Sequence, residues 1–248
     1  MSVLKNKKRS SPFRSWCVVV VATLCMSACK QEIGQVKSTV EENHPETFQE
    51  LGFFGPVKSG EWERFLDAVQ NNIAHSRDEP GNLSFSLYQP EGDTLQPIWF
   101  ERFKTKEAHN LHKEKDYFKN AIDVIKKSLV GQAYAIELKE LKEVPALAHA
   151  EQDFKTAYTS ITLFDVRPEN RKDFILEMAI AIPAYRASDG NSEYNLYQYK
   201  DDANKFVLIE AWEDKMSYDD ALKQRTTATD RRWFAAYPVR RDMKDLSR

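Results

Sequence analysis

Two related stretches of the chain decide the fold: "RDEPGNLSFSLYQ", Arg77–Gln89, and "RASDGNSEYNLYQ", Arg186–Gln198, which lies 109 residues further on. The alignment extends without a gap from Phe65–Gln89 onto Phe174–Gln198, and eight of its 25 positions are identical. An ungapped frame of this length indicates an internal duplication. The identical pairs are Phe65/Phe174, Ile73/Ile182, Arg77/Arg186, Gly81/Gly190, Asn82/Asn191, Leu87/Leu196, Tyr88/Tyr197 and Gln89/Gln198.

Both copies predict the same order of elements. A β-rich opening precedes an amphipathic helix, which stops before a Gly-Asn pair; a hairpin, a second helix and a last strand follow. This βαββαβ order is the ferredoxin-like arrangement. In the first copy the segments are Glu50–Val57, Trp62–Ile73, Leu83–Gln89, Pro97–Phe103, Lys106–Leu129 and Gln132–Leu141. In the second they are Tyr158–Val166, Phe174–Ile182, Ser192–Tyr199, Phe206–Trp212, Ser217–Tyr237 and Tyr237–Met243.

The helices of one such unit cover only one face of its sheet. Alternation along the second hairpin strand places large apolar side chains around a glutamate on one face in each copy, and we expect this face to be the one that lies away from the helices. An exposed apolar face of this kind would promote aggregation unless the other sheet covered it. We therefore predict an α+β fold of two ferredoxin-like repeats packed sheet to sheet as an intrachain dimeric α+β barrel. The side chains concerned are Trp99, Glu101 and Phe103, and Leu208, Glu210 and Trp212.

The N-terminus is typical of an exported lipoprotein. Five basic residues and no acid precede an apolar run, Cys17–Ala28, which is too short for a bilayer of about 30 Å but suits a signal peptide. The run ends in "MSAC", which resembles a lipobox whose cysteine, Cys29, is acylated. An ordinary secreted chain is the alternative. Because Lys30 rather than aspartate follows the cysteine, we expect anchoring at the periplasmic face of the outer membrane. The predicted segments are a signal peptide over 1–28, a polar tether over 29–46, repeat 1 over 47–143, a linker over 144–156 and repeat 2 over 157–246.

Cysteine content and charge narrow the function classes. Cys17 and Cys25 fall in the signal peptide, so Cys29 alone remains, and the mature chain has no disulfide and no cysteine metal site. The net charge is −2, and removal of the five basic residues of the signal peptide takes it to about −7. An acidic balance argues against nucleic-acid binding, which needs a basic face.

The repeats resemble the antibiotic biosynthesis monooxygenase family, quinol monooxygenases included. The resemblance covers nearly all of the mature chain, and it implies a fused pseudo-dimer that is monomeric, because family members usually pair two βαββαβ chains. It also implies a small phenol or quinol as substrate, O2 as co-substrate, and no metal, flavin or haem as cofactor. The motifs that carry it are "VKSGEWERFLDAV", "SRDEPGNLSFSLYQ" and "WFERFKTKEAHNLHKEKDYF" in the first copy, and "VRPENRKDFILEM", "YRASDGNSEYNLYQ" and "VLIEAWED" in the second.

Three residues are candidates for catalysis. Glu101 and Glu210 sit in mid-strand among aromatic residues, where loss of water would raise a carboxyl pKa and suit a base. The alternative is a structural partner for an arginine. His112 matches, by its spacing from Phe118, a histidine of the family's second helix; otherwise it is a surface residue. The second copy has Ala221 or Ala228 at that point, so the two copies are not chemically equivalent.

Six further residues are candidates for binding a substrate. Tyr88 shares a strand face with Ser84 and Ser86, and Tyr197 shares one with Glu193 and Asn195, which suits either a pocket wall or ordinary sheet packing. The two asparagines follow helix-ending glycines, so turn geometry is the alternative role for them. The candidates are Asn82, Tyr88, Trp99, Asn191, Tyr197 and Trp212.

We expect no metal site. All five histidines precede residue 150, and His109 and His112, three residues apart, have no carboxylate in a recognisable motif beside them. Three functions remain open: a cofactor-independent monooxygenase, a binding or sensing lipoprotein that kept the barrel and lost catalysis, and a structural or interaction lipoprotein. An enclosed apolar cavity beside Glu101, His112 and Tyr88 would favour the enzyme.

Overall fold

The structure is a computed structural model that describes residues 46–92, 95–147, 158–223 and 233–247. The predicted signal peptide, the acylated Cys29 and nearly all of the tether lie outside these residues. Within the described part of the chain, no helix is both long enough and apolar enough to cross a membrane.

Each repeat contributes four strands to the fold, and the helices lie between them in the chain. Repeat 1 contains β1 (Phe48–Phe53), α1 (Trp62–Arg77), β2 (Asn82–Pro90), β3 (Ile98–Phe103), α2 (Lys106–Lys113), α3 (Asp116–Ser128) and β4 (Tyr134–Glu140). Repeat 2 contains β5 (Tyr158–Val166), α4 (Arg171–Arg186), β6 (Asn191–Tyr199), β7 (Lys205–Trp212), α5 (Lys215–Lys223) and β8 (Phe234–Asp245).

The 109-residue offset of the sequence recurs in the structure. Both ends of α1 and of β2 map at that offset onto the ends of α4 and β6. The repeated arginine fixes the helix end to the following strand: Arg77 donates from Nε and Nη2 to the carbonyl of Phe85 (3.1 and 2.7 Å), and Arg186 donates from Nε to that of Tyr194 (3.0 Å). The repeated glycine permits close packing, because a Cβ on Gly81 would lie 2.6 Å from the Cβ of Ala108.

The eight described strands form one closed antiparallel barrel in the order β1-β3-β2-β8-β5-β7-β6-β4. The last strand of each repeat joins the other repeat: β4 pairs with β6, and β8 pairs with β2. The predicted fold class is therefore confirmed. Closure leaves neither sheet with a free edge.

Two of the predicted segments differ in the structure. The helix predicted over Lys106–Leu129 is two helices, and the one predicted over Ser217–Tyr237 ends at Lys223, with residues 224–232 outside the described part. Phe234–Tyr237 belongs to β8, which pairs with β5 and, at its far end, with β2. This tertiary pairing overrides the local helical pattern.

The side chains form one core inside the barrel and one between each sheet and its helices. The prediction that Trp99, Glu101 and Phe103 face the other sheet is wrong: Trp99 packs in the core under α1 and α3, and Leu208 and Trp212 pack in the core under α4. These residues do share a face, but β3 is buried on both faces, so alternation cannot tell one side from the other. The barrel core consists of Leu51, Tyr88, Ile98, Phe100, Leu138, Ile161, Tyr197, Val207, Ile209 and Met243.

Candidate functional site

The side chain of a histidine on α2 of repeat 1 is buried and contacts a carboxylate. The side chain of Thr105 caps the start of α2 by accepting from the backbone N–H of Ala108, which fixes the helix over the sheet. His112 is fully buried, and its Nδ1 lies 2.6 Å from Oε1 of Glu79. The hydroxyl of Tyr117 donates to the same oxygen at 2.6 Å. Glu79 therefore fixes the imidazole ring from one side.

The far nitrogen of the ring is buried and unpaired. Nε2 of His112 has no hydrogen-bond partner among the described residues. A buried imidazole with one nitrogen bonded to a carboxylate and the other free is the arrangement of a general base. The rings of Phe85, Phe103 and Phe118 surround it, with centroids 6.0, 5.2 and 5.0 Å away.

A second polar group adjoins this histidine. Strand register places Glu50 of β1 directly opposite Glu101 of β3, and Nε2 of His109 lies 3.3 Å from Oε1 of Glu101. His109 stacks on Phe48 with ring centroids 4.0 Å apart. β1 and the consecutive elements β3 and α2 thus bring two carboxylates and an imidazole together.

Burial controls the charges of this group. Loss of water raises the pKa of Glu101 to about 7, and nearby His112 opposes the rise. Burial, followed by the charge of Glu101, raises the pKa of Glu50 to about 7. Burial lowers the pKa of His109 to about 4, so its imidazole is neutral near pH 7. The direction of the shift at Glu101 agrees with the raised carboxyl pKa expected from its aromatic surroundings.

Several buried polar atoms in this region have no hydrogen-bond partner among the described residues. They are both carboxylate oxygens of Glu101, Nδ1 of His109 and Nε2 of His112. Buried polar atoms are rarely left unpaired, so such a cluster indicates a place for a polar or ionic occupant. The cluster belongs to repeat 1.

Repeat 2 retains the scaffold without this chemistry. Glu210 is buried at the position of Glu101, but it lies opposite Ser160 instead of a second carboxylate. Tyr218 takes the place of His109, and it packs against Tyr158 as His109 packs against Phe48.

The position of His112 in repeat 2 is taken by Ala221. α5 begins 109 residues after α2, so the offset that relates the repeats aligns His112 with Ala221. The other candidate, Ala228, lies outside the described residues. Ser188 stands at the position of Glu79. Repeat 2 therefore lacks both the imidazole and the carboxylate that fixes it.

The two predicted asparagines are the first residues of β2 and β6, directly after the turn that follows the first helix of each repeat. Nδ2 of Asn82 donates to Oγ of Ser76 at 3.0 Å. Nδ2 of Asn191 donates to the carbonyls of Glu193 and Ala211, at 3.0 and 3.3 Å. These bonds fix turn geometry, which is the alternative role that the sequence left open.

The four predicted aromatic residues lie in three separate cores. Tyr88 and Tyr197 are inside the barrel, and burial raises the pKa of both hydroxyls above their ordinary value. Trp99 and Trp212 lie in the helix-side cores of repeats 1 and 2. Because Tyr88 is on the opposite face of the sheet from Glu101, the structure does not bring these two residues to one cavity.

Side chains and a chain segment close one end of the barrel. Arg102 projects inward, donating from Nη2 to Glu140 and from Nη1 to the carbonyl of Leu147, both at 2.9 Å. Asn195 donates to the same carbonyl at 3.1 Å and accepts from the backbone N–H of Leu147 at 3.0 Å. The segment around Leu147 is thereby fixed over this end.

The other end of the barrel holds a cleft of about 270 Å³. Phe53 and Tyr134 stack at its edge, with ring centroids 4.9 Å apart. Ile98, Ile161 and Met243 of the barrel core also line it. The cleft is slightly smaller than the usual range for small-molecule sites, which begins at about 300 Å³.

The sequence reasoning missed Glu50, Glu79 and Tyr117, and it found no carboxylate partner for His109. The partners come from other elements, so spacing within α2 could not reveal them. One signal was present in the alignment itself: Glu79, His109 and His112 are replaced by serine, tyrosine and alanine in the second copy. This signal alone would not have marked the site, because His75 and Asp78 are likewise replaced by alanine in the second copy.

Residues 40–124 and 157–228 match the family model for antibiotic biosynthesis monooxygenase, which is more than half of the chain. The chain belongs to this family. Two separate matches agree with the tandem duplication. The family match makes this a monooxygenase-like chain.

Curated relatives and solved structures agree with the family. "Putative monooxygenase YcnE" of Bacillus subtilis is 36% identical over 50 residues, which are 20% of this chain and 53% of that protein. "Uncharacterized protein sll1783" of Synechocystis is 28% identical over 91 residues, 37% of this chain and 61% of that protein. The matches thus span between half and two thirds of these relatives.

Among solved structures, a protein from Fusobacterium nucleatum titled "Putative monooxygenase" superposes with a TM-score of 0.71 at 20% identity, over 82% of this chain and 94% of the other. One from Lactobacillus acidophilus with the same description has a TM-score of 0.71 at 14% identity, over 81% and 94%. At these identities the likeness shows the fold.

Proposed function

We propose that the protein is a monooxygenase whose reaction is confined to repeat 1, with His112 as the base and a small phenol or hydroquinone as the substrate. The contact of 2.6 Å between His112 and Glu79 carries this proposal, because it orients a buried imidazole whose other nitrogen is unpaired. Glu101 forms the polar side of the same site. Tyr117 supports Glu79.

The reaction requires no electron donor apart from the substrate. His112 removes the hydroxyl proton, and the electron-rich anion reduces O2. For a hydroquinone with a free ring C–H, one oxygen atom enters the ring and the other leaves as water, which gives a hydroxyquinone. The four electrons that O2 accepts are those lost by the hydroquinone. Burial of His112 among aromatic rings keeps water from the base.

Oxygen consumption tests this proposal. The purified full chain is mixed with a panel of hydroquinones and simple phenols while dissolved O2 is recorded. His112→Ala should lower the rate by a factor of about 100 or more, the usual contribution of a general base. Glu79→Gln should lower it by about 10- to 100-fold, because the ring loses its fixed orientation.

The matched control is Ser188→Ala, because Ser188 stands in repeat 2 at the position of Glu79. It should leave the rate unchanged. Oxygen uptake that His112→Ala does not change would overturn the role of His112. No uptake with any hydroquinone or phenol would remove the activity for these substrate classes.

The cleft at the open end of the barrel favours a second candidate function, a binding or sensing protein without catalysis. Its aromatic edge suits a small planar ring. In that case hydroquinones would bind in calorimetry without oxygen uptake, and Phe53→Ala would weaken binding while His112→Ala would not.

The location proposed for this activity is the cell envelope, with Cys29 acylated and the protein held at the periplasmic face of the outer membrane. The lipobox-like "MSAC" and the basic, apolar segment before it support this. Labelling with an alkyne fatty acid in a Gram-negative host tests it. The full chain should take up label and fractionate with outer membranes, and Cys29→Ser should take up none; equal labelling of both would contradict the anchor.

A further inference from the structure

We propose that Glu50, Glu101 and His109 form a binding site for one divalent first-row metal ion, of which Zn²⁺ fits best. One oxygen of each carboxylate and one nitrogen of His109 lie within 4.8 Å of one another. In a tetrahedral site with ligands about 2.1 Å from the ion, two ligand atoms lie about 3.4 Å apart, so binding requires side-chain movements of up to about 1.4 Å.

Glu101 is the strongest independent indication of an occupant. It is fully buried, and neither of its oxygens receives a hydrogen bond from the described residues. Lys106, a lysine close to the cluster, is held elsewhere: its ammonium bonds Glu137 at 2.8 Å and lies over the ring of Phe48. Lys106 and Lys113 act on the cluster only through their charge, and an ion between the two carboxylates would supply the direct contact that the oxygens of Glu101 lack.

The ligand types select the kind of ion. One imidazole nitrogen with two carboxylate oxygens suits Zn²⁺, leaving a fourth position for water. Ca²⁺ and Mg²⁺ prefer more numerous, all-oxygen ligands. Glu50 is half-buried, so the ion has a route from solvent past this side chain.

Repeat 2 forms the same scaffold without the set of three proposed ligands. At the three corresponding positions it has Ser160, Glu210 and Tyr218, which leave a single carboxylate. The fold therefore does not require the cluster. The proposal departs from the expectation of no metal site. It shares Glu101 with the proposed oxidation, but Zn²⁺ transfers no electrons, so its binding is measured separately from oxygen consumption.

Calorimetric titration of the metal-free full chain with Zn²⁺ tests the site, with no oligohistidine tag present. We expect one ion per chain, an increase in the unfolding temperature on binding, and no competition from Ca²⁺. Glu101→Gln and His109→Phe should each weaken binding at least tenfold, and His109→Phe retains a ring to stack on Phe48. Co²⁺ should give a visible absorption band that the same variants lose.

The matched control is Glu210→Gln, the equivalent change in repeat 2, which should leave the Zn²⁺ affinity unchanged. If either buried variant fails to fold, Glu50→Gln at the half-buried ligand provides the same test. Absence of Zn²⁺ and Co²⁺ binding, or binding that the ligand variants leave intact, would overturn the site.

Discussion

The two repeats have one scaffold and two different polar groups. In both, an arginine fixes the first helix to the strand that follows, and a glutamate is buried in the second hairpin strand. In repeat 1 that glutamate adjoins two histidines and two further carboxylates, whereas in repeat 2 these positions carry hydroxyl groups and a methyl group. Duplication thus allowed one half to hold a site and the other to complete the barrel.

The first prediction tests whether the two scaffolds are equal in stability. Trp99 and Trp212 are the buried tryptophans of the helix-side cores of repeats 1 and 2, at positions that do not correspond in the alignment. Trp99→Ala and Trp212→Ala should each lower the free energy of unfolding by about 3–5 kcal/mol, because each leaves a cavity in a packed core. Urea unfolding of the full chain measures this free energy. A loss below about 1 kcal/mol for only one of the two variants would show that the two repeats do not contribute equally to stability.

The second prediction concerns a packing difference at one pair of positions. Gly52 lies opposite Trp99, and a Cβ there would be 2.1 Å from the indole nitrogen, whereas Thr162 occupies the same place in repeat 2 opposite Leu208. Gly52→Thr should cost about 2–3 kcal/mol through overpacking. Thr162→Gly should cost about 1 kcal/mol, through chain entropy and lost contacts. Equal costs in urea unfolding would show that the two positions are not packed differently.

The third prediction has the smallest expected effect. Arg77→Ala and Arg186→Ala each remove hydrogen bonds to a strand carbonyl at the edge of the helix-side core. Both arginines are partly exposed to solvent, so we expect a loss of about 1 kcal/mol in each repeat. Unfolding transitions recorded side by side check this, and Lys in place of Arg should restore little, because lysine cannot donate in the same fork.

Much of the fold could be predicted from the sequence because the two copies can be aligned with each other, so that each copy supports the elements predicted for the other. The ungapped frame from Phe65–Gln89 onto Phe174–Gln198 located the hairpins and the first helices, and burial of two half-covered sheets required a barrel. The end of the second helix of repeat 2 was not predictable, since Phe234–Tyr237 becomes a strand through long-range pairing with β5.

The site was predictable only in part. His112 and Glu101 were identified from a family resemblance and from a charge among aromatic residues. The face on which Glu101 lies was predicted wrongly, because a strand buried on both sides has no polar face to orient it. Glu79 and Glu50 approach these residues from a turn and from another strand, and such contacts are set by the tertiary fold rather than by local spacing.

The most direct test of the central claim, that the chemistry belongs to repeat 1, compares Glu101→Gln with Glu210→Gln. The two residues are structural equivalents, both are buried, and the substitution keeps their shape. The rate of oxygen consumption with the best hydroquinone of the panel is the measurement. We predict a loss of about tenfold or more for Glu101→Gln and a rate within about twofold of the unmodified chain for Glu210→Gln. Equal losses in both variants, or a loss in Glu210→Gln alone, would contradict it.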